Sequence, residues 1–373
     1  MAGRTLKVGS FNLRRISFEG LLFDGDGFRP YLAGMDFEEV GTSSPSQYLF
    51  FPPFVNHHLH AFDLPLLAAE LPGAPEGAVS PSGSIKSRYL KGLTEEEMAE
   101  NALALLEDML FRGTTSAWIF TEEGMRGLRA LKSAIFSLIS ALPGALSAAL
   151  NYKILSRPTS SDEEEWEMLL EGSSGFGLSA FRDDEEGIYP DMIRLARRMG
   201  KEVVIHFSEA EREDVELIRR QRPSALVHLL HSTEDDLAVV KRLGVPVIFT
   251  PISNRHFSLR PPVEEAVRLG LVWHLGSDNG MLSPPDMALN CAEASFLLGG
   301  DPQGTAAALR ATTGEGEGVL AVFRLPAEVK EASPSPRLLL SMRFLGYAVK
   351  EEGIYLIRNT PPLPLGASSA APE

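Results

Sequence analysis

The chain has 373 residues, 44% hydrophobic and 23% charged, with 8 histidines, a single cysteine and a formal net charge of −15. That length can build one large domain or two ordinary ones, and the composition is that of a folded, water-soluble protein. The acidic balance argues against nucleic acid, which needs a clustered cationic surface; Cys291 alone excludes an internal disulfide or a cysteine-cluster zinc site; no apolar run approaches the roughly 18 residues of a membrane span.

The first residues lack a signal-peptide core, so a cytoplasmic protein is expected, with homo-oligomer formation left open. Residues 1–49 are short mixed segments broken by Gly and Pro, and the Asp-Gly pairs in Gly20-Leu-Leu-Phe-Asp-Gly-Asp-Gly mark hairpin turns. From 50 to 314, apolar strand-like runs alternate with amphipathic helical ones, the pattern of parallel βα units. Strands are predicted at 50–58, 113–121, 146–155, 175–181, 201–208, 224–230, 245–251 and 271–277. Eight is the number that closes a (β/α)8 TIM barrel.

Between these strands, Thr94 and Glu97 form a capping box, residues 124–142 are long and amphipathic, and Ser232 or Thr233 caps a helix that Gly244 stops. The insert 70–92, rich in Pro, Gly and Ser, reads as a lid or a linker. Residues 315–360 return to short strands, so the two arms are expected to pair into one small β-sandwich domain beside the barrel. A disordered tail is expected at 361–373.

The chemistry lies in where the histidines fall. In Phe54-Val-Asn-His-His-Leu-His60, strand alternation puts His58 and His60 on one face. His206 ends strand 5, His228 falls in strand 6, and Asp278 follows strand 8. All strand C-termini of a parallel barrel open onto one face, so these five groups converge on one rim. Three imidazoles and one carboxylate suit one divalent ion, zinc by default and iron next, with room left for a water that the ion acidifies. Glu209, three residues after His206, is within reach as a general acid and base, although an acid in the first turn of a helix is welcome without any catalytic role. Arg88, Trp118, Arg157, Arg182 and His256 are the candidates for substrate contact. Each Arg among them can equally form a surface ion pair.

As a set and in this order, Phe54-Val-Asn-His-His-Leu-His60, Val204-Ile-His-Phe-Ser-Glu209, Leu226-Val-His-Leu-Leu-His-Ser-Thr233, Thr250-Pro-Ile-Ser-Asn254, Gly276-Ser-Asp-Asn-Gly-Met-Leu-Ser-Pro-Pro-Asp286 and Ala311-Thr-Thr-Gly resemble the amidohydrolase superfamily. The resemblance is to its mononuclear branch of cytosine, guanine and adenosine-type deaminases and triazine chlorohydrolases. It implies a metal shell of His58, His60, His206 and Asp278, with Glu209 as proton shuttle and His228 orienting the attacking water or polarising the substrate. Asp278 would take the water's proton while Glu209 protonates a ring nitrogen, and ammonia leaves a purine, pterin, pyrimidine or related small heterocycle. Binuclear relatives carry a bridging Lys on strand 4; Gly175-Phe-Gly-Leu-Ser-Ala-Phe181 has none, so one metal is expected. His231 and His274 are expected in structural roles, Asn254 likewise, and His57 facing outward. Two other readings stand beside the deaminase: a cyclic amide hydrolase of imidazolonepropionase type, with almost the same shell, and a catalytically inactive barrel scaffold.

Overall fold

The computed structural model describes residues 8–9, 18–33, 37–39, 46–314, 318–329, 332–350 and 353–357. The expected tail 361–373 lies outside them. Eight parallel strands follow one another in chain order: β1 Phe54–His60, β2 Thr114–Thr121, β3 Asn151–Ser156, β4 Gly175–Leu178, β5 Glu202–Phe207, β6 Ala225–His228, β7 Val247–Phe249 and β8 Trp273–Leu275. Helices lie between them, and the fold is a (β/α)8 barrel. Just past β8 the ring is drawn shut: Asp278 bridges Leu59 in parallel and its N–H donates to the His58 carbonyl at 2.9 Å.

That seam tolerates only glycine beside His58. A Cβ on Gly276 would stand 2.7 Å from the His58 carbonyl oxygen and 2.8 Å from its nitrogen. Gly276→Ala is therefore expected to cost about 1–3 kcal/mol through overpacking. Urea denaturation measures it, and an unchanged midpoint would mean the seam is looser than drawn.

Proline sets several strand limits. Pro52 and Pro53 separate Ser46–Phe51 from β1, because proline gives no N–H to a ladder. The first barrel strand thus starts at Phe54 rather than at 50. Pro143 opens a short helix, Gly144–Ala148, that overlaps the start of the strand predicted at 146–155, and Pro251 ends strand 7 by opening the helix Pro251–His256. The helix caps follow the sequence: Thr94–Glu97 and Thr233–Asp236 form capping boxes, and Gly244 takes φ 68° at a C-cap.

Strands from both ends of the chain make a second sheet, in the order Val8–Gly9, Gly353–Ile357, Arg343–Val349, Val319–Val329, Ser46–Phe51, Phe18–Phe23, Phe28–Ala33, Phe37–Glu39. They hydrogen-bond into one continuous sheet. Strand alternation divides its side chains: Leu21, Phe23, Leu49, Phe51 and Phe323 join the core shared with the barrel, while Leu22, Phe50, Leu320, Val322 and Ala348 form a separate cluster. Part of 337–349, which reads as strand in the sequence, is instead the helix Pro336–Ser341, because the Ser335 hydroxyl accepts from the Leu338 N–H and caps it.

Candidate metal centre at the barrel rim

The barrel interior is filled by Phe120, Leu155, Val204, Ala225, Val227 and Ile248, with Trp118 packed against them. Beneath the rim lies a feature the sequence conceals. Between Asn56 and Leu59, β1 carries one residue more than β2 does between their partners Ala117 and Ile119, so the alternation breaks there. His57 consequently turns inward, against the outward orientation expected of it. It stacks on His274 with ring centroids 4.1 Å apart and lies edge-on to Trp118 at 5.4 Å. Burial pushes the His57 imidazole down to about 3, so this pair packs as neutral rings.

Above them, His58, His60, His206, His228 and Asp278 are all buried, from four different strand ends. Their ligand atoms fall into two overlapping triads, His58–His60–Asp278 and His58–His206–His228, each with its atoms within 4.8 Å of one another. Asp278 Oδ1 lies 3.3 Å from His58 Nε2 and 3.4 Å from His60 Nε2. Both ring nitrogens of His58 and Nε2 of His228 are buried without a hydrogen-bond partner among the described residues. Buried polar atoms are rarely left unpaired, and imidazoles clustered beside a carboxylate are the donor set a divalent ion takes. The residues fit such an ion.

The protonation of His58, His206 and Asp278 agrees with that fit. Burial drives His58 down to about 3 and His206 well below the usual imidazole range, so both offer lone pairs. Burial alone would raise Asp278, but the His58 and His60 imidazoles beside it hold its carboxyl well below the ordinary value. The other ring nitrogens sort the histidines by role. His206 Nδ1 stands 2.8 Å from the Leu178 carbonyl, an acceptor only, which leaves the Nε2 lone pair for the centre. His228 Nδ1 instead faces the Asn254 amide nitrogen at 3.4 Å and the Thr250 hydroxyl at 3.2 Å. An amide nitrogen only donates, so that contact puts the proton on His228 Nε2, which faces Glu209 Oε1 at 3.6 Å. Both His228 (φ 77°) and Asp278 (φ 65°) hold left-handed backbone, the kind of strain that collects at functional sites.

Three groups that sequence reasoning does not single out hold this arrangement from behind. The Ser253 hydroxyl donates to Asp278 Oδ2 at 2.5 Å. Glu122 Oε1 meets His60 Nδ1 at 2.6 Å, and Lys86 reaches Glu122 and Asn279. Glu122 was findable, since it follows the end of β2 as Asp278 follows β8. Lys86 was not, because the insert that carries it has no periodicity. That insert forms the helices Pro75–Ala78 and Ile85–Gly92 and walls one side of a cavity of about 430 Å³ over the centre.

His60, His206, Glu209 and Asp278 line that cavity, together with Arg157 and Arg182. Arg88, Trp118 and His256 are not among its lining residues. Arg88 donates to the Gly83 carbonyl, Trp118 lies inside the barrel under Lys153, and His256 packs on Phe257. His231 is exposed, and Asn254 backs His228 from a helix. Burial raises the Glu209 carboxyl above its ordinary range.

The profile of the Amidohydrolase family matches residues 49–317, which covers the whole barrel. The chain belongs to the amidohydrolase family. An uncharacterized protein of Methanocaldococcus jannaschii is 26% identical over 257 residues, which are 64% of this chain and 65% of that protein, just under two thirds of its length. A protein of Archaeoglobus fulgidus provisionally named an aminohydrolase is 27% identical over 311 residues, 83% of this amidohydrolase and 84% of its relative. Among solved structures, an adenosine deaminase from Xanthomonas campestris with bound zinc superposes with a TM-score of 0.63 at 14% identity, covering 93% of this chain and 94% of that one. At that identity the likeness is one of fold.

Proposed function

We propose that this amidohydrolase is a metal-dependent aminohydrolase, releasing ammonia from a small heteroaromatic ring. The observation that carries the reading is the pair of buried triads, His58–His60–Asp278 and His58–His206–His228, that share His58, with Glu209 lining the same cavity as His60, His206 and Asp278. His58, His60, His206 and Asp278 would hold one divalent ion, zinc as in the adenosine deaminase of the same fold, or iron. Such an ion supplies acidified water and Lewis-acid polarisation of the group under attack.

The remaining steps fall to this chain's side chains. Asp278, held as a carboxylate, accepts the proton given up by the attacking water. Glu209, whose carboxyl keeps its proton to higher pH than an ordinary Glu, delivers that proton to the ring nitrogen next to the attacked carbon and is recharged by the new hydroxyl as the carbonyl forms, while the leaving amine departs as ammonia with the proton Asp278 took from the water. His228 Nε2 donates a hydrogen bond to the oxygen developing on that carbon.

Arg157 is the wall residue best fitted to hold the substrate's far side. Among the described residues it forms no ion pair, and its Nε reaches only the Gly177 carbonyl, at 3.4 Å. Arg182, by contrast, has Asp183 at 3.8 Å and Glu211 at 3.5 Å. A guanidinium so placed suits a carbonyl or anionic substituent. Arg157→Ala is expected to raise KM about 10–100-fold with a much smaller change in kcat, the scale of one hydrogen bond to a charged group. A drop in kcat at constant KM would instead put Arg157 in the chemistry.

The test of the function is ammonia release from a panel of purines, pterins and pyrimidines, before and after chelation. Metal-dependent ammonia supports the proposal. Turnover without ammonia moves the protein to cyclic amide hydrolysis, and failure to take up any metal sinks both.

A further inference from the structure

Lys86 enters the rim from the insert, not from a barrel strand, and it is 5% exposed. Its ammonium donates to Glu122 Oε1 at 2.7 Å and to Asn279 Oδ1 at 2.6 Å, with Asp63 Oδ2 at 3.7 Å. Each of the two near acceptors leads directly to a residue of the shell. Glu122 Oε1 is 2.6 Å from His60 Nδ1, and Asn279 Nδ2 donates to Asp278 Oδ1 at 2.8 Å. One buried cation therefore joins two short chains, Lys86–Glu122–His60 and Lys86–Asn279–Asp278. They end on the two flanks of the seam where the barrel closes.

The polarity of these contacts gives them direction. The Asn279 amide has an acceptor at one end and a donor at the other. With Lys86 on Oδ1, the Nδ2 end must face Asp278; reversed, two oxygens would meet. Glu122 is acceptor-only and has its charge balanced by Lys86, so it accepts a hydrogen bond from the His60 Nδ1–H and leaves Nε2 toward the centre. The helix carrying Lys86 is itself fixed. Ser84 caps it, Asn101 holds the Tyr89 hydroxyl at 2.9 Å, and Arg126 donates to the Leu93 carbonyl at 2.6 Å.

We propose that Lys86 is a positioning residue for the metal shell, setting the orientation of His60 through Glu122 and of Asp278 through Asn279, and so making the 70–92 insert a structural part of the centre. This rests on the reading of His60 and Asp278 as ligands. Lys86 also lines the cavity, but its two short hydrogen bonds are directed at Glu122 and Asn279.

The experiment measures zinc affinity of the metal-free full-length protein by competition with a chromophoric chelator, together with its melting temperature. Lys86→Met is expected to weaken zinc 10–100-fold, the usual cost of losing a partner behind a ligand. Because that variant strands the buried Glu122 charge, a second variant, Lys86→Met with Glu122→Gln, removes both charges together. It is expected to melt close to wild type and still bind zinc at least tenfold more weakly. Zinc affinity within twofold of wild type in either folded variant overturns the proposal, as does a raised KM with zinc affinity and kcat intact. A wild-type protein that binds no zinc would overturn the ligand reading itself, a result distinct from a variant that binds as wild type does.

Discussion

His206→Ala is expected to abolish stoichiometric metal uptake and to lower turnover by about three orders of magnitude or more, since the activated water is lost with the ion. His206 sits at the middle of the histidine cluster. Its ring stacks on His228 with centroids 5.1 Å apart and lies 4.9 Å from that of His58. The Leu178 carbonyl fixes its tautomer, so the lone pair costs no rearrangement to present. Burial holds it neutral, which means no proton has to be expelled before an ion binds. Alanine removes that donor and leaves the rest of the shell in place. Elemental analysis of the purified variant beside wild type is the measurement. A full equivalent of metal retained in His206→Ala would show that the ion is gripped by the His58–His60–Asp278 triad alone, and that His206 serves a neighbouring role.

Much of the centre is legible in the amino-acid sequence because two independent periodicities intersect. Alternating βα segments give the barrel and hence a single functional rim. Histidines at the ends of β1, β5 and β6 then have nowhere to project but there. Helix caps are readable for a similar reason, since Thr94 with Glu97 and Thr233 with Asp236 are local hydrogen-bond devices that need no tertiary contact.

What the sequence hides depends on register or on distance. His57 faces inward because β1 holds an extra residue against β2, which strict alternation cannot foresee. Lys86 works across 193 positions from Asn279, and nothing in its own neighbourhood announces that partner. The strand limits expected at 50, 146 and 251 fall elsewhere because proline overrides an apolar run that otherwise looks continuous. Among the proposed substrate contacts, Trp118 has the β2 position and polarity of a pocket residue, yet alternation with Phe120 puts it a layer below the rim.

Glu209→Gln is expected to keep a full equivalent of metal while kcat falls by about 10²–10⁴, the usual contribution of a positioned proton donor and acceptor. Gln preserves the shape and the approach to His228, but it cannot move a proton. The separation from the ion is what makes the variant informative. Glu209 belongs to neither ligand triad, and its side chain is 23% exposed, into the cavity that it lines, whereas Asp278 is 2% exposed. Its raised pKa follows first from burial, with Asp278 pushing the same way and His228 opposing. A carboxyl so poised can hold its proton for the ring nitrogen and recover one from the new hydroxyl, whereas Asp278, held ionised beside His58 and His60, starts as the acceptor and hands the water's proton on to the leaving amine. Two carboxylates with opposite displacements beside one centre are the arrangement that divides acid from base work. If Glu209→Gln turned over at the wild-type rate, the proton would have to travel through another group, with Asp183, also raised by burial and lining the cavity, the next to substitute. If it lost the metal instead, Glu209 would be a ligand and the division between shell and shuttle would have to be redrawn.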